Sequence, residues 1–218
     1  MRNTCIGWVS LLSVMLLAPG CLVKEVTQTV CLEPGGDVTW IVLERGVRSN
    51  EDSAQKRLRE EADYFTAALT GRHPAAMGLS RLAPIDVRTT ILRAGRPYAV
   101  LTEARFTGFE TLMETFASNL GRDATSTLER HDGAVTWTLT VQSDSTSSRA
   151  DEGLGPLIEL FDHGDVVLAT GHFTSAVGFD LSHDKRGATF HIPEDALHEN
   201  ASHTGRVVLS LTWTEDER

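Results

Sequence analysis

Seven of the eight histidines of this chain fall after residue 130: His131, His163, His172, His183, His191, His198 and His203. Imidazoles gathered in one region suit a divalent metal, but zinc sites are built on close ligand pairs such as His-Glu-x-x-His or Cys-x-x-Cys, and neither occurs here. His198 and His203 are five apart, off any shared helical face. A second chemistry is hydrolysis, since His172, Ser175, Asp180, Ser182 and His183 lie in one stretch. No Gly-x-Ser-x-Gly elbow accompanies them, and three-dimensional convergence cannot be read from spacing. Adjacent acids, Glu60 with Glu61 and Glu194 with Asp195, read as solvated neighbours. No glycine-rich loop sits between a strand and a helix to cradle a nucleotide. The expectation is therefore no catalytic residue, no metal and no cofactor, with a hydrolytic or metal-dependent enzyme using the histidine-rich C-terminal part as the alternative.

The third chemistry is covalent lipid attachment. Met1-Arg2-Asn3 carries one positive charge, and an apolar run follows from Cys5 to Ala18. That run is shorter than the roughly 20 apolar residues a membrane-spanning helix needs, and it suits the core of a signal peptide. Leu17-Ala18-Pro19-Gly20-Cys21 then resembles the lipobox of bacterial lipoproteins, in which small residues precede a cysteine that receives diacylglycerol before signal peptidase II cuts. The resemblance implies removal of residues 1–20, a thioether lipid on Cys21 and acylation of its new amino group. Two or three acyl chains hold a protein firmly, at about 0.8 kcal/mol per buried methylene. Leu22 stands where an aspartate would, in the enterobacterial pattern, favour the inner membrane; in a source with two membranes the outer one is favoured. Cys5 leaves with the leader and Cys21 is lipidated, so Cys31 remains, expected as a small buried hydrophobe.

Of 218 residues, 41% are hydrophobic and 23% charged, a globular composition. The net charge of -10 argues against a nucleic-acid binder, which needs a basic face, and against electrostatic docking on anionic lipid.

The mature chain begins its first strand-like segment without a linker. Leu22 to Leu32 alternates, Pro34-Gly35-Gly36-Asp37 turns, and Val38 to Leu43 returns. A second hairpin runs from Ile85 to Ile91, turns at Ala94-Gly95-Arg96-Pro97, and returns from Tyr98 to Phe106. A third joins Thr125–Arg130 to Val135–Val141 through His131-Asp132-Gly133, with Val135, Trp137, Leu139 and Val141 on one face. Further strands are expected at Asp165–Thr170, Thr189–Ile192 and Arg206–Thr214. Two helices lie between the hairpins. The first is capped by Ser49 or Asn50, carries the stripe Leu58, Ala62, Phe65 and Leu69, and closes at Gly71. The second runs from about Gly108 to Leu120 with Leu112, Phe116 and Leu120 as its stripe and Gly121 as its stop. Short helices are expected near Met77–Leu82 and Pro156–Phe161, and Ser143 to Gly155 reads as a polar loop.

The fold class expected is α+β: an antiparallel sheet of hairpins with two main helices packed on one face, in a single domain over 21–218. Phe65, Leu69, Phe109, Met113 and Phe116 either line an apolar groove between helix and sheet or pack as core; the spacing leaves both open. The outline behind its lipid anchor is similar to the LppM-type lipoprotein domain, and that resemblance implies lipid or glycolipid contact. The expected function is a membrane-anchored, extracytoplasmic binding or structural module. Its membrane partner is reached through the Cys21 lipid, and its protein or lipid partner is not named by the sequence.

Overall fold

A computed structural model describes residues 22–120, 124–142, 164–190 and 206–214. Gly121, the polar stretch 143–155 and the helix expected at 156–161 lie outside them.

The three hairpins form where alternation and turn residues placed them. Strand β1 (Leu22–Leu32) pairs antiparallel with β2 (Val38–Ser49), Val30 opposite Trp40 and Leu32 opposite Val38. The turn between them uses Gly35 and Gly36 at φ +102° and +93°, which a side chain would resist. Strands β3 (Asp86–Arg93) and β4 (Tyr98–Phe106) form the second hairpin, and β5 (Ala124–His131) with β6 (Ala134–Gln142) the third.

The expected single antiparallel sheet is overturned. Among the described residues the strands form two sheets, one in the order β3-β4-β2-β1-β7-β10-β9 and one in the order β5-β6-β11-β8. The added strands are β7 (Gly164–Leu168), β8 (His172–Val177), β9 (Phe179–Leu181), β10 (Gly187–Phe190) and β11 (Arg206–Thr214). The larger sheet is mixed, because β7 joins β1 in parallel with Val166 opposite Val30 and Leu168 opposite Leu32. A hairpin leaves one edge of β1 with unpaired N–H and C=O groups, and local sequence does not say which distant strand will take it. The third hairpin does not extend the large sheet. Its apolar face, Val135, Trp137, Leu139 and Val141, joins Leu209, Leu211 and Trp213 of β11 in a core shared with Trp40, Val166 and Ala188 of the larger sheet. The small sheet therefore covers much of the larger one, a role the sequence reading had assigned to helices.

Three helices complete the described architecture: α1 (Ala54–Leu69), α2 (Pro74–Ser80) and α3 (Phe109–Leu120). The two main helices do not lie side by side. Helix α1 packs on β2 and β3, whereas α3 touches both sheets, its Phe116 ring 6.5 Å from Trp40 and its Phe109 ring 5.6 Å from Trp137. Helix α1 also departs from its expected boundary and stripe. Ser53 caps it, accepting from the Lys56 N–H at 3.5 Å, because Ser49 ends β2 and donates its hydroxyl to Glu60. Leu58 and Leu69 are 57% and 63% exposed, and the buried residues are Glu61, Tyr64 and Ala68. The helix is rotated toward polar groups on β2 that need partners, and hydrogen-bond demand has overridden the apolar stripe.

Strands β8 and β9 were not expected. Gly178 lies between them, at φ +77°, where the chain leaves the small sheet for the large one. A Cβ there would overlap Cδ2 of Leu209, so backbone conformation and close approach both select glycine.

Candidate functional site

Cys21 and Cys5 lie outside the described residues. Cys31 is half-buried on β1 rather than fully buried, and burial, followed by the nearby Glu33 charge, pushes its thiol pKa up. Such a thiol is a poor nucleophile.

The five groove candidates are divided between two places. Phe109, Met113 and Phe116 are buried in the core that the two sheets share. Phe65 is half-buried, its ring 5.2 Å from Tyr98, and Leu69 faces solvent. A cleft of about 170 Å³ does open between the ends of the two sheets, beside the Gly35–Gly36 turn, with Phe109, Leu168 and Trp213 in its wall and Arg130 and Glu110 beside them. It is smaller than the roughly 300–1,000 Å³ of typical small-molecule pockets.

Three of the late histidines, His131, His172 and His183, are among the described residues. His163, His191, His198 and His203 are outside the described residues. His131 and His172 fall in one cross-strand row of the small sheet, His131 opposite Ala134, Ala134 opposite Thr214, and Thr214 opposite His172. Two strands separate them, roughly 14 Å at ordinary strand spacing. His183 is exposed in the β9–β10 turn. No group of three potential metal ligands occurs among the described residues. In the same turn Ser182 donates to Asp184 at 2.6 Å and accepts from the Gly187 N–H at 2.8 Å, so its hydroxyl shapes the turn. Bonds from Ser182 and from the Arg186 N–H hold the Asp184 carboxyl below its usual value.

The structure instead brings together groups that the sequence reading passed over. Strand β2 points Val38, Trp40, Val42 and Glu44 to its covered face, so an acid occupies an apolar register. Glu44 is 1% exposed. Lys24 of β1 pairs with its Oε1, the Tyr64 hydroxyl of α1 donates to its Oε2 at 2.9 Å, and His73 Nε2, just ahead of α2, lies 3.5 Å from that same oxygen. His73 Nε2 is also 2.8 Å from the Thr102 hydroxyl of β4. His73 Nδ1 has no hydrogen-bond partner, so the proton is assigned to Nε2, because a stranded N–H is rarer in proteins than a stranded lone pair. A bulge at Gly46, φ +66°, shifts the register so that Val47 and Ser49 keep the same face. There the Ser49 N–H donates to Glu61 at 3.0 Å, and Arg96 pairs with the same carboxylate.

These groups have the types of a catalytic cluster, yet Glu44 and His73 are sealed beneath α1 and α2. What the arrangement does is hold both helices to the sheet. Burial pushes the His73 pKa down, opposed by the Glu44 charge and assisted by Lys24. The Tyr64 hydroxyl is pushed far above its ordinary value by burial and then by the Glu44 charge and hydrogen bond.

The sign of the pH effect follows. A neutral buried imidazole resists a proton that the unfolded chain accepts near 6.5. Stability attributable to His73 is then complete above that pH, declines as pH falls below it, and levels off below the native pKa. Urea unfolding at pH 7 and at pH 5 is expected to show a larger loss for the wild-type chain than for His73→Gln, whose side chain does not titrate. Equal losses would remove His73 as the cause.

No protein-family model matches this chain, and no curated protein does. A solved structure is similar to it. The NMR structure of the folded domain of Mycobacterium tuberculosis LppM aligns over 89% of this chain and 91% of that one, with 9% identity and a TM-score of 0.36. At that score and identity the likeness carries no argument about activity, ligand or location. Among the described residues no helix is long and apolar enough to cross a membrane.

Proposed function

We propose that this chain is a lipid-anchored, extracytoplasmic lipoprotein of the bacterial envelope that acts as a binding or structural module, with lipid or another apolar molecule as its contact. The carrying observation is the order of charge, apolar run, small residues and Cys21, followed at Leu22 by the first residue of β1. No spacer intervenes, so lipid on Cys21 holds a folded domain directly at the membrane surface. The Leu22 position favours the outer membrane where two exist. A non-catalytic role is supported by the burial of Glu44 and His73, 1% and 0% exposed.

The test is intact mass of the mature protein together with fractionation. Wild-type protein is expected in the membrane fraction, beginning at Cys21 and heavier than its polypeptide by the diacylglycerol and acyl groups. Cys21→Ser is expected to lack that added mass. A mature wild-type protein with a bare cysteine sinks the reading.

A further inference from the structure

We propose that the open face of the large sheet, at its Val23–Leu92 end, rests on the phospholipid bilayer that holds the Cys21 lipid. This deepens the anchored reading and depends on it. Strand register gathers Leu22, Ser49, Tyr98 and Arg93 at one end of the sheet, with Leu22 opposite Ser49, Val47 opposite Tyr98 and Ala99 opposite Arg93. Cys21 precedes Leu22, so the tether to that end is one Cα step of about 3.8 Å. On the covered face of this end, Leu22, Ile91 and Tyr98 are partly buried against a small cluster of Val47, Tyr64, Ala68 and Val100. Val23 on the open face and Leu92, at the bulge of β3 between Ile91 and Arg93, are 41% and 55% exposed. Leu43 and Leu101, opposite one another and half-buried, lie further along that face, beyond the exposed Glu25–Arg45 pair.

The polar groups nearby suit a headgroup layer. Arg48, opposite Val23, and Arg93, after Leu92, are exposed, and the one carboxylate beside Val23 on this face, Glu25, is paired with Arg45 at 3.7 Å. Long cationic side chains beside apolar ones can reach headgroups while their neighbours enter the acyl boundary. Ile85 supplies the contrast. It is 66% exposed and sits just before the opposite end of β3, about 23 Å from Leu92 at ordinary strand rise, too far for a one-residue tether to bring to the bilayer with it.

The experiment uses the full-length, lipidated protein with Cys31→Ala and a single nitroxide at Leu92→Cys or at Ile85→Cys. Each is reconstituted into phosphatidylcholine–phosphatidylglycerol vesicles and floated on a density gradient. Collision of the label with oxygen, which concentrates in lipid, is compared with collision with a water-soluble nickel chelate. The oxygen-to-nickel ratio is expected to be severalfold higher at residue 92 than at residue 85. Equal ratios in protein that floats would overturn the docked face and leave the anchor standing. Label–label broadening at residue 92 in floated protein would assign the patch to a second copy and overturn it as well. Protein that does not float would overturn both the anchor and the docking.

Discussion

Replacing Trp137 with alanine is expected to cost about 3–5 kcal/mol, in the range for truncating a large buried aromatic. Trp137 is 1% exposed at the centre of β6, with the Phe109 ring 5.6 Å away on α3 and the Phe179 ring 6.3 Å away on β9 of the other sheet. Its indole N–H donates to Ser126 at 2.9 Å. One side chain thus joins the small sheet, the large sheet and the helix between them, and the cavity left by alanine could not close without moving all three. Trp137→Phe is expected to cost less, losing the Ser126 bond, worth about 1 kcal/mol, and part of the ring volume. The measurement is the shift in urea midpoint of the mature chain at unchanged slope. A loss below about 1 kcal/mol for the alanine variant would mean that the sheets do not share this core.

How far the sequence carried depended on the distance over which each decision is made. The hairpins were legible because their cause is local. Gly35 and Gly36 supply the turn, and the alternation of Val135, Trp137, Leu139 and Val141 admits one face only. The division into two sheets was not legible, because the partner of the free β1 edge lies more than a hundred residues away. The short β8 and β9 were missed since their exposed Thr174, Ser175 and Asp180 dilute the apolar signal. The stripe of α1 failed for a different reason. Leu58 and Leu69 satisfied helical periodicity, but Tyr64 and Glu61 had bonds to make with Glu44 and Ser49. Periodicity counts apolar residues and is blind to unmet polar groups.

The buried cluster could have been suspected from one residue. Glu44 continues the inward parity of Val38, Trp40 and Val42, and a carboxylate in that register requires partners wherever they come from. Its histidine was overlooked because attention to clustering favoured the seven after residue 130, leaving out His73, which is 0% exposed. A lone histidine next to a helix-starting proline gives no numerical signal. The stretch Leu17–Cys21 differs from all of these, since a lipobox, which it resembles, is a short linear motif and needs no fold to be legible.

Replacing Glu44 with alanine is expected to destabilise the chain by about 3–5 kcal/mol, the range for removing one partner of a buried ionic network. The loss leaves the Tyr64 hydroxyl and His73 without their shared acceptor, and Lys24, 28% exposed at its side chain, without its anion. Lys24 can turn to water and His73 keeps the Thr102 hydroxyl, but the buried Tyr64 hydroxyl has no other acceptor among the described residues and both rings face the emptied space. Hence the cost should come mainly from stranded polar groups, and the combined variant Glu44→Leu, Tyr64→Phe, His73→Leu, Thr102→Val is expected to recover most of it, since apolar groups of similar size there and at Thr102, the other partner of His73, carry no unmet bonds. Urea unfolding of both variants makes the comparison, and a combined variant no more stable than Glu44→Ala would show that the cluster contributes net stability instead of merely satisfying itself. Hydrogen exchange adds a local reading. Lys24 lies near the start of β1, so the cluster fastens that end of the strand to the helices, and Glu44→Ala should speed exchange in β1 around Val23–Gln28 more than in the small sheet. Uniform acceleration in both would mean that Glu44 supports the fold globally and has no particular hold on the start of β1.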